Sequence, residues 1–185
     1  MVAGPLYAGA VNDSNTSNLT VKVGSMMGGT EGKIRETGLK HGMRGSLTTV
    51  NATEKPVLSI RNKLEYGGIN NRTRCRVVLV SAAAEHTKPI EVNVYINATL
   101  EGASFTDFDG GGGFSCMQED TTATAVSGGL YLFTVELGKT GQQVIEVPSI
   151  TDGVMEPGDI VTFTAVASSG SGGEVDVAVY VVEML

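Results

Sequence analysis

Tryptophan is absent from this sequence, and aromatic residues make up only 5% of its 185 positions. A core must therefore be filled by Val, Ile, Leu and Ala, and a sugar-cleaving cleft lined by aromatic platforms is disfavoured. Histidine occurs twice, at His41 and His86, with no paired spacing that would suit zinc and in no recognisable nucleophile motif. Cys75 and Cys116 are the only cysteines, too far apart in the chain for a Cys-x-x-Cys metal or redox motif. Cys75 alternates with Arg74 and Arg76 in a strand-like run and reads as a small buried apolar residue. No apolar run approaches the roughly 18 residues that span a bilayer. The opening "MVAGPLYAGAVNDSN" lacks the basic and apolar regions of a secretory signal. These absences predict a soluble, cytosolically made protein with no membrane partner.

Helical periodicity is missing too. Residues 24–45 hold seven glycines in 22 positions, and each glycine costs a helix roughly 1 kcal/mol. That stretch reads as part of an extended, glycine-rich, basic arm over residues 1–54. After Pro56 the pattern turns to strands: 57–66, 72–84, 89–100, 122–126, 130–137, 142–147, 160–167 and 174–184, spaced by turn signals such as "EPGD" and "SSGSGG". The apolar run at 77–84 predicts a strand buried on both faces. The expected fold is all-β, an antiparallel β-sandwich over 55–185, with jelly-roll and immunoglobulin-like topologies both open. Alternation puts Val92, Val94, Ile96, Val161, Phe163, Val177 and Val179 in the core.

The most eye-catching motif is "FTDFDGGGGFSC", residues 105–116. A P-loop needs Lys-Ser/Thr after the glycines and a helix to follow, and neither is there. An EF-hand starting at Asp107 would place Gly111 and Gln118 at ligand positions, and neither residue suits. A looser calcium site from Asp107, Asp109, Glu119 and Asp120 is the remaining metal reading. A mobile corner between strands fits better, so no metal, cofactor or catalytic residue is assigned.

The net charge of −7 hides an asymmetry. Residues 1–76 carry 11 Lys/Arg against 5 Asp/Glu, a balance of +6; residues 77–185 carry 2 against 15, a balance of −13. Either the two halves neutralise each other within one molecule, or the basic half docks on an acidic surface such as a second copy. Arg72, Arg74 and Arg76 fall on one strand face by period 2, near Lys55, Arg61 and Lys63, but without interleaved aromatics base stacking is unsupported and nucleic acid is not the expected partner.

Five short elements of turn and strand follow one another along the chain: Arg61-Asn62-Lys63, Asn70-Asn71-Arg72, Lys88-Pro89-Ile90, Asn97-Ala98-Thr99-Leu100 and Pro157-Gly158-Asp159. In that order the stretch from 55 onward resembles β-sandwich modules of tailed-bacteriophage virion proteins, the head-decoration and fibre type. The resemblance covers roughly 55–185 and rests on turns and strands. It implies a non-catalytic structural protein of the virion, assembled in the host cytoplasm, with the major capsid protein or another virion protein as partner. Homo-oligomers, trimers first, are expected. The short chain, beginning with its own methionine, favours a capsid decoration or cementing protein; a tail-fibre or carbohydrate-binding module is the alternative. Attachment is expected through the arm, with Met26, Met27, Ile34, Leu39 and Met43 holding and Lys33, Arg35, Lys40 and Arg44 guiding.

Overall fold

A computed structural model of the protein describes residues 39–108, 114–147, 154–170 and 172–184. The described residues contain fifteen strands and no helix. In chain order they are β1 (Lys40–Leu47), β2 (Lys55–Asn62), β3 (Glu65–Tyr66), β4 (Ile69–Asn70), β5 (Arg74–Glu85), β6 (Ile90–Ile96), β7 (Thr99–Glu101), β8 (Thr106–Asp107), β9 (Met117–Asp120), β10 (Ala125–Ser127), β11 (Leu130–Leu137), β12 (Thr140–Glu146), β13 (Val154–Met155), β14 (Ile160–Ala167) and β15 (Glu174–Met184). All pairings are antiparallel, as the sequence predicts.

Two sheets make the sandwich. One runs β1-β15-β5-β12, with β13 also on β5; the other runs β11-β6-β14-β2-β9-β8. The connections β1–β2, β5–β6, β11–β12 and β14–β15 each pass from one sheet to the other, so the core closes between sequence neighbours. Period-2 alternation fills it. Val175, Val177, Val179 and Val181 of β15 face Val92 and Val94 of β6 and Val161 and Phe163 of β14, all buried. Ile96, expected in the same layer, is only partly buried. Each fully buried aliphatic side chain contributes roughly 1.5–3 kcal/mol, which is how a core with so few aromatics holds.

Two expectations are revised. The apolar run in β5 is not buried on both faces: Val80, Ala82 and Ala84 are buried, while Leu79, Ser81 and Ala83 between them are half-buried. Small and aliphatic residues on the outer face mimic a two-sided strand in composition. More consequentially, Lys40–Leu47, which its glycines assign to the arm by sequence, is an edge strand of the sandwich, paired residue for residue with β15 from Lys40↔Val182 to Leu47↔Val175. Met43 is 2% exposed, inside the core. Glycine hid the strand from a propensity reading. Gly45 is there because β1 passes close to β2: a Cβ on it would lie 2.3 Å from the Val57 carbonyl oxygen and 2.9 Å from Leu58 Cβ.

The two glycines of β1 therefore separate sharply. Gly45→Ala puts a methyl against backbone that cannot yield, and should cost about 2–3 kcal/mol. Gly42 has nothing within 4 Å of its Cβ position, so Gly42→Ala should be neutral or slightly stabilising. Urea denaturation of the two variants checks this; equal stabilities would mean that β1 does not pack on β2.

Candidate functional site

Chemistry-bearing side chains gather at one end of the sandwich, where β1 begins and β15 ends. Glu183, on β15, is 2% exposed. Its Oε1 accepts from His41 Nε2 at 2.8 Å, Ser115 Oγ at 2.5 Å and the Cys116 backbone N–H at 3.2 Å. His41 also packs edge-on against Phe108, ring centroids 4.8 Å apart. Ser, His and a carboxylate are thus in contact, but in an order that does not relay a proton to or from the hydroxyl. Glu183 sits in the middle, so the serine hydroxyl faces a carboxylate, whereas nucleophile activation needs the imidazole there. The cluster acts as a clasp between β1, β15 and the segment entering β9.

Beside it, Cys75 of β5 and Cys116 bring their sulfurs to 3.4 Å, both fully buried. The contact with Cys116, then burial, and the nearby Glu183 charge push the Cys75 thiol well above its ordinary pKa. Only tertiary structure brings these cysteines together; 41 positions of chain separate them and no motif marks the pair.

Of the elements behind the virion resemblance, Arg61-Asn62-Lys63 lies beside this clasp, whereas Lys88-Pro89-Ile90 lies at the opposite end with His86. Arg61 donates through Nε and Nη2 to Gln118 Oε1 at 2.9 and 2.6 Å, and its guanidinium lies 4.1 Å from the Phe105 ring centroid. Asn62 is buried and donates to the Thr73 and Met155 carbonyls, while its Oδ1 accepts from Asn71 Nδ2 at 2.7 Å. Lys63 pairs with Asp107 at 2.8 Å. Asn97, at φ 56°, donates to Asp159 Oδ1 and accepts from the Ile160 N–H. The Pro157-Gly158 turn closes with the Asp159 N–H donating to the Glu156 carbonyl at 3.0 Å, Gly158 supplying φ +97°. These residues bond to one another across strand ends, which gives each a structural role.

The basic stripe is not formed. Arg72 precedes β5, Arg74 pairs with Glu156 at 2.8 Å, and Arg76 is buried with Nη2 3.4 Å from the Val147 carbonyl. Among the described residues the ion pairs Arg44–Asp176, Lys63–Asp107 and Arg74–Glu156, and the His41–Glu183 hydrogen bond, each join the basic first part of the chain to the acidic remainder. Those charges are matched within one molecule.

Of the arm residues assigned to a partner, Met26, Met27, Lys33, Ile34 and Arg35 lie outside the described residues. Leu39 and Lys40 are exposed at the start of β1. Met43 is not available: it faces the core, because its place on β1 turns it inward. Arg44 already pairs with Asp176 at 2.9 Å.

Two of the carboxylates read as a loose calcium set, Asp107 and Asp120, are occupied by protein donors. Asp107 accepts from Lys63 Nζ and from Gln118 Nε2 at 2.7 Å; Asp109 lies outside the described residues. Asp120 accepts from Thr122 Oγ1 and from the backbone N–H groups of Ser104, Thr122 and Ala123. Among the described residues no group of three or more His, Cys, Asp or Glu is placed to hold a metal ion. His86 is buried at the opposite end, where the Lys88 N–H donates to its Nδ1 at 2.9 Å. No protein-family model matches this chain, and no curated protein matches it.

Burial on its own would raise the Asp120 pKa, but the Thr122, Ser104 and Ala123 bonds outweigh it and hold the carboxyl below the ordinary range. A depressed carboxylate stabilises the fold above its unfolded pKa of about 4, and that stability is lost as pH falls through the folded value. Asp120→Asn should therefore cost about 1–2 kcal/mol at pH 7. The gap to the parent protein should close as pH falls through the depressed folded value, below which the aspartate is itself protonated. Thermal melts across pH 2–7 measure this, and a constant gap would show that charge is not what the turn uses.

Proposed function

We propose that this chain is a non-enzymatic structural protein of a tailed-phage virion, a capsid decoration or cementing protein. It docks on the major capsid protein or another virion protein through the segment that precedes β1, and acts as a homo-oligomer, a trimer first. One observation carries this reading. The chain enters the sandwich at an edge strand, and the end it enters displays four large apolar side chains: Leu39, Leu64, Ile69 and Phe114, exposed by 46, 68, 72 and 74%. Backbone and side-chain bonds link the surroundings of Leu39, Leu64 and Phe114. The Leu39 carbonyl accepts from the Glu183 N–H, Glu183 accepts from Ser115 next to Phe114, and the Lys63 N–H next to Leu64 donates to the Cys116 carbonyl. Apolar groups concentrated next to an incoming segment suit a contact surface. The family resemblance of residues 55–185 supplies the kind of particle.

A second reading, a receptor or carbohydrate-binding module, draws on the outer face of the second sheet. There Tyr131 bonds Thr134 at 2.8 Å, Thr134 bonds Asn93, and Asn93 and Tyr95 donate to Glu54 at 2.9 and 3.1 Å. Tyr131 is 53% exposed beside this row of polar groups, a position from which an aromatic ring can stack on a sugar.

Binding to particles stripped of the protein separates the readings. A chain starting at Leu39 keeps β1, and should fold with an unchanged melting temperature but lose particle binding. One starting at Lys55 also loses Met43 and should not fold cooperatively. Full decoration by the Leu39 chain would overturn attachment through the N-terminal segment. Glycan-array binding abolished by Tyr131→Ala would favour the second reading.

A further inference from the structure

Cys75 and Cys116 meet across the interior. Cys75 belongs to β5 in the first sheet; Cys116 immediately precedes β9 in the second. Both are fully buried and their sulfurs are 3.4 Å apart. A disulfide requires about 2.05 Å, so the sulfurs need close by only about 1.4 Å, a distance that small side-chain rotations can supply. Around them both strands are fixed. Cys75 is in register with Glu183 of β15 and Met155 of β13. Cys116 is held by its N–H to Glu183 and by its carbonyl, which accepts from the Lys63 N–H at 2.9 Å. The framework that would carry the bond is already in place on both sides.

We infer that Cys75 and Cys116 are the two halves of a cross-sheet disulfide, a covalent modification site that closes this end of the sandwich. The oxidant is a low-molecular-weight disulfide such as oxidised glutathione. One cysteine thiolate attacks it, forming a mixed disulfide and releasing one thiol; the second cysteine attacks the mixed disulfide and releases the other. Two cysteine S–H bonds are lost, one protein S–S bond forms, the reagent's S–S bond breaks, and its two sulfurs leave carrying the two protons. Two electrons pass from the protein to the reagent.

Timing follows from burial. Thiol exchange needs a thiolate with room for an incoming disulfide. In the closed sandwich neither sulfur is accessible and the Cys75 thiol is held protonated, so oxidation belongs to the open chain or to the moment the sheets meet. Once formed, the bond is screened from reductants by the same burial. It spans 41 positions of chain, a loop long enough for a sizeable stabilisation.

The test uses the full chain. Protein unfolded in denaturant is refolded in a glutathione redox buffer, quenched with excess alkylating agent under denaturing conditions, and weighed intact. The refolded protein should lack both alkyl groups and be about 2 Da lighter than the reduced chain. Peptide mapping without reductant should join the peptides containing Cys75 and Cys116. The oxidised wild type should melt on the order of 10 °C above the reduced wild type, a comparison that needs no variant to fold. Natively folded, reduced protein placed in the same buffer should oxidise at least 100-fold more slowly than the refolding chain. Cys116→Ser should yield no monomeric disulfide. The inference is overturned if the refolded monomer takes up two alkyl groups, or if the oxidised monomer melts no higher than the reduced one.

Discussion

Burying a carboxylate between two sheets costs several kcal/mol unless protein donors replace the water it gives up. Glu183 meets that demand with three donors from two places in the chain: His41 on β1, and Ser115 with the adjacent Cys116 backbone. Each donor is also a structural commitment. The first keeps the edge strand aligned on β15, and the other two anchor the second sheet to the first. Removing the carboxylate would leave the Cys116 backbone N–H without this acceptor in the interior, at about 1–3 kcal/mol. The strand ends, the placement of Cys116 beside Cys75 and the entry point of the chain all follow from keeping this one charge solvated by protein.

The same logic extends outward from the clasp. Asn62 and Asn71 spend their amides on each other and on the carbonyls of Lys63, Thr73 and Met155, carbonyls that strand ends leave without ladder partners. Asn97 and Asp159 do this where β6 meets β14. On the outer face of the second sheet, Glu54 accepts from Asn93, Tyr95 and Thr164, and Ser59 contacts Thr162 at 3.2 Å in a spot closed to solvent. Burial and then the Glu54 charge push the Tyr95 phenol up, so it stays a donor to Glu54 at neutral pH. An aliphatic core with few aromatics thus sits between polar networks that decide where each strand stops.

Legibility from sequence divides along this line. β14 and β15 are where alternation places them, residue for residue, because a one-sided aliphatic strand carries its own period. β1 escapes notice because KHGMRGSL offers only one large buried side chain, Met43, and Gly45 answers to the closeness of Val57, a fact about tertiary structure. The short β8, β9 and β13 fail for a related reason: two to four residues cannot establish a period. The site is harder still. His41 and Glu183 are 142 positions apart, and Cys75 and Cys116 are 41 apart. Alternation could say that Cys75 was buried; only the closing of two sheets could say against what.

Edge-strand geometry finally bears on how a segment ahead of β1 could transmit load. β1 meets β15 in an unbroken antiparallel ladder over eight registered pairs, and ladder bonds lie perpendicular to the strand. Tension drawn along β1 from Leu39 loads those bonds together in shear, so they must fail as a set; tension directed away from the sheet would peel them one at a time. Met43 in the core and Arg44 on Asp176 resist both directions, and His41 on Glu183 secures the first turn of the ladder against fraying. A cross-sheet bond at Cys75 and Cys116 would add to this where it matters. β1 is anchored only to the first sheet by its ladder, and the clasp on Glu183 is what passes its load to the second. A covalent tie beside that clasp keeps the two sheets from parting when β1 is pulled, and leaves the β1–β15 ladder as the element that sets the limit.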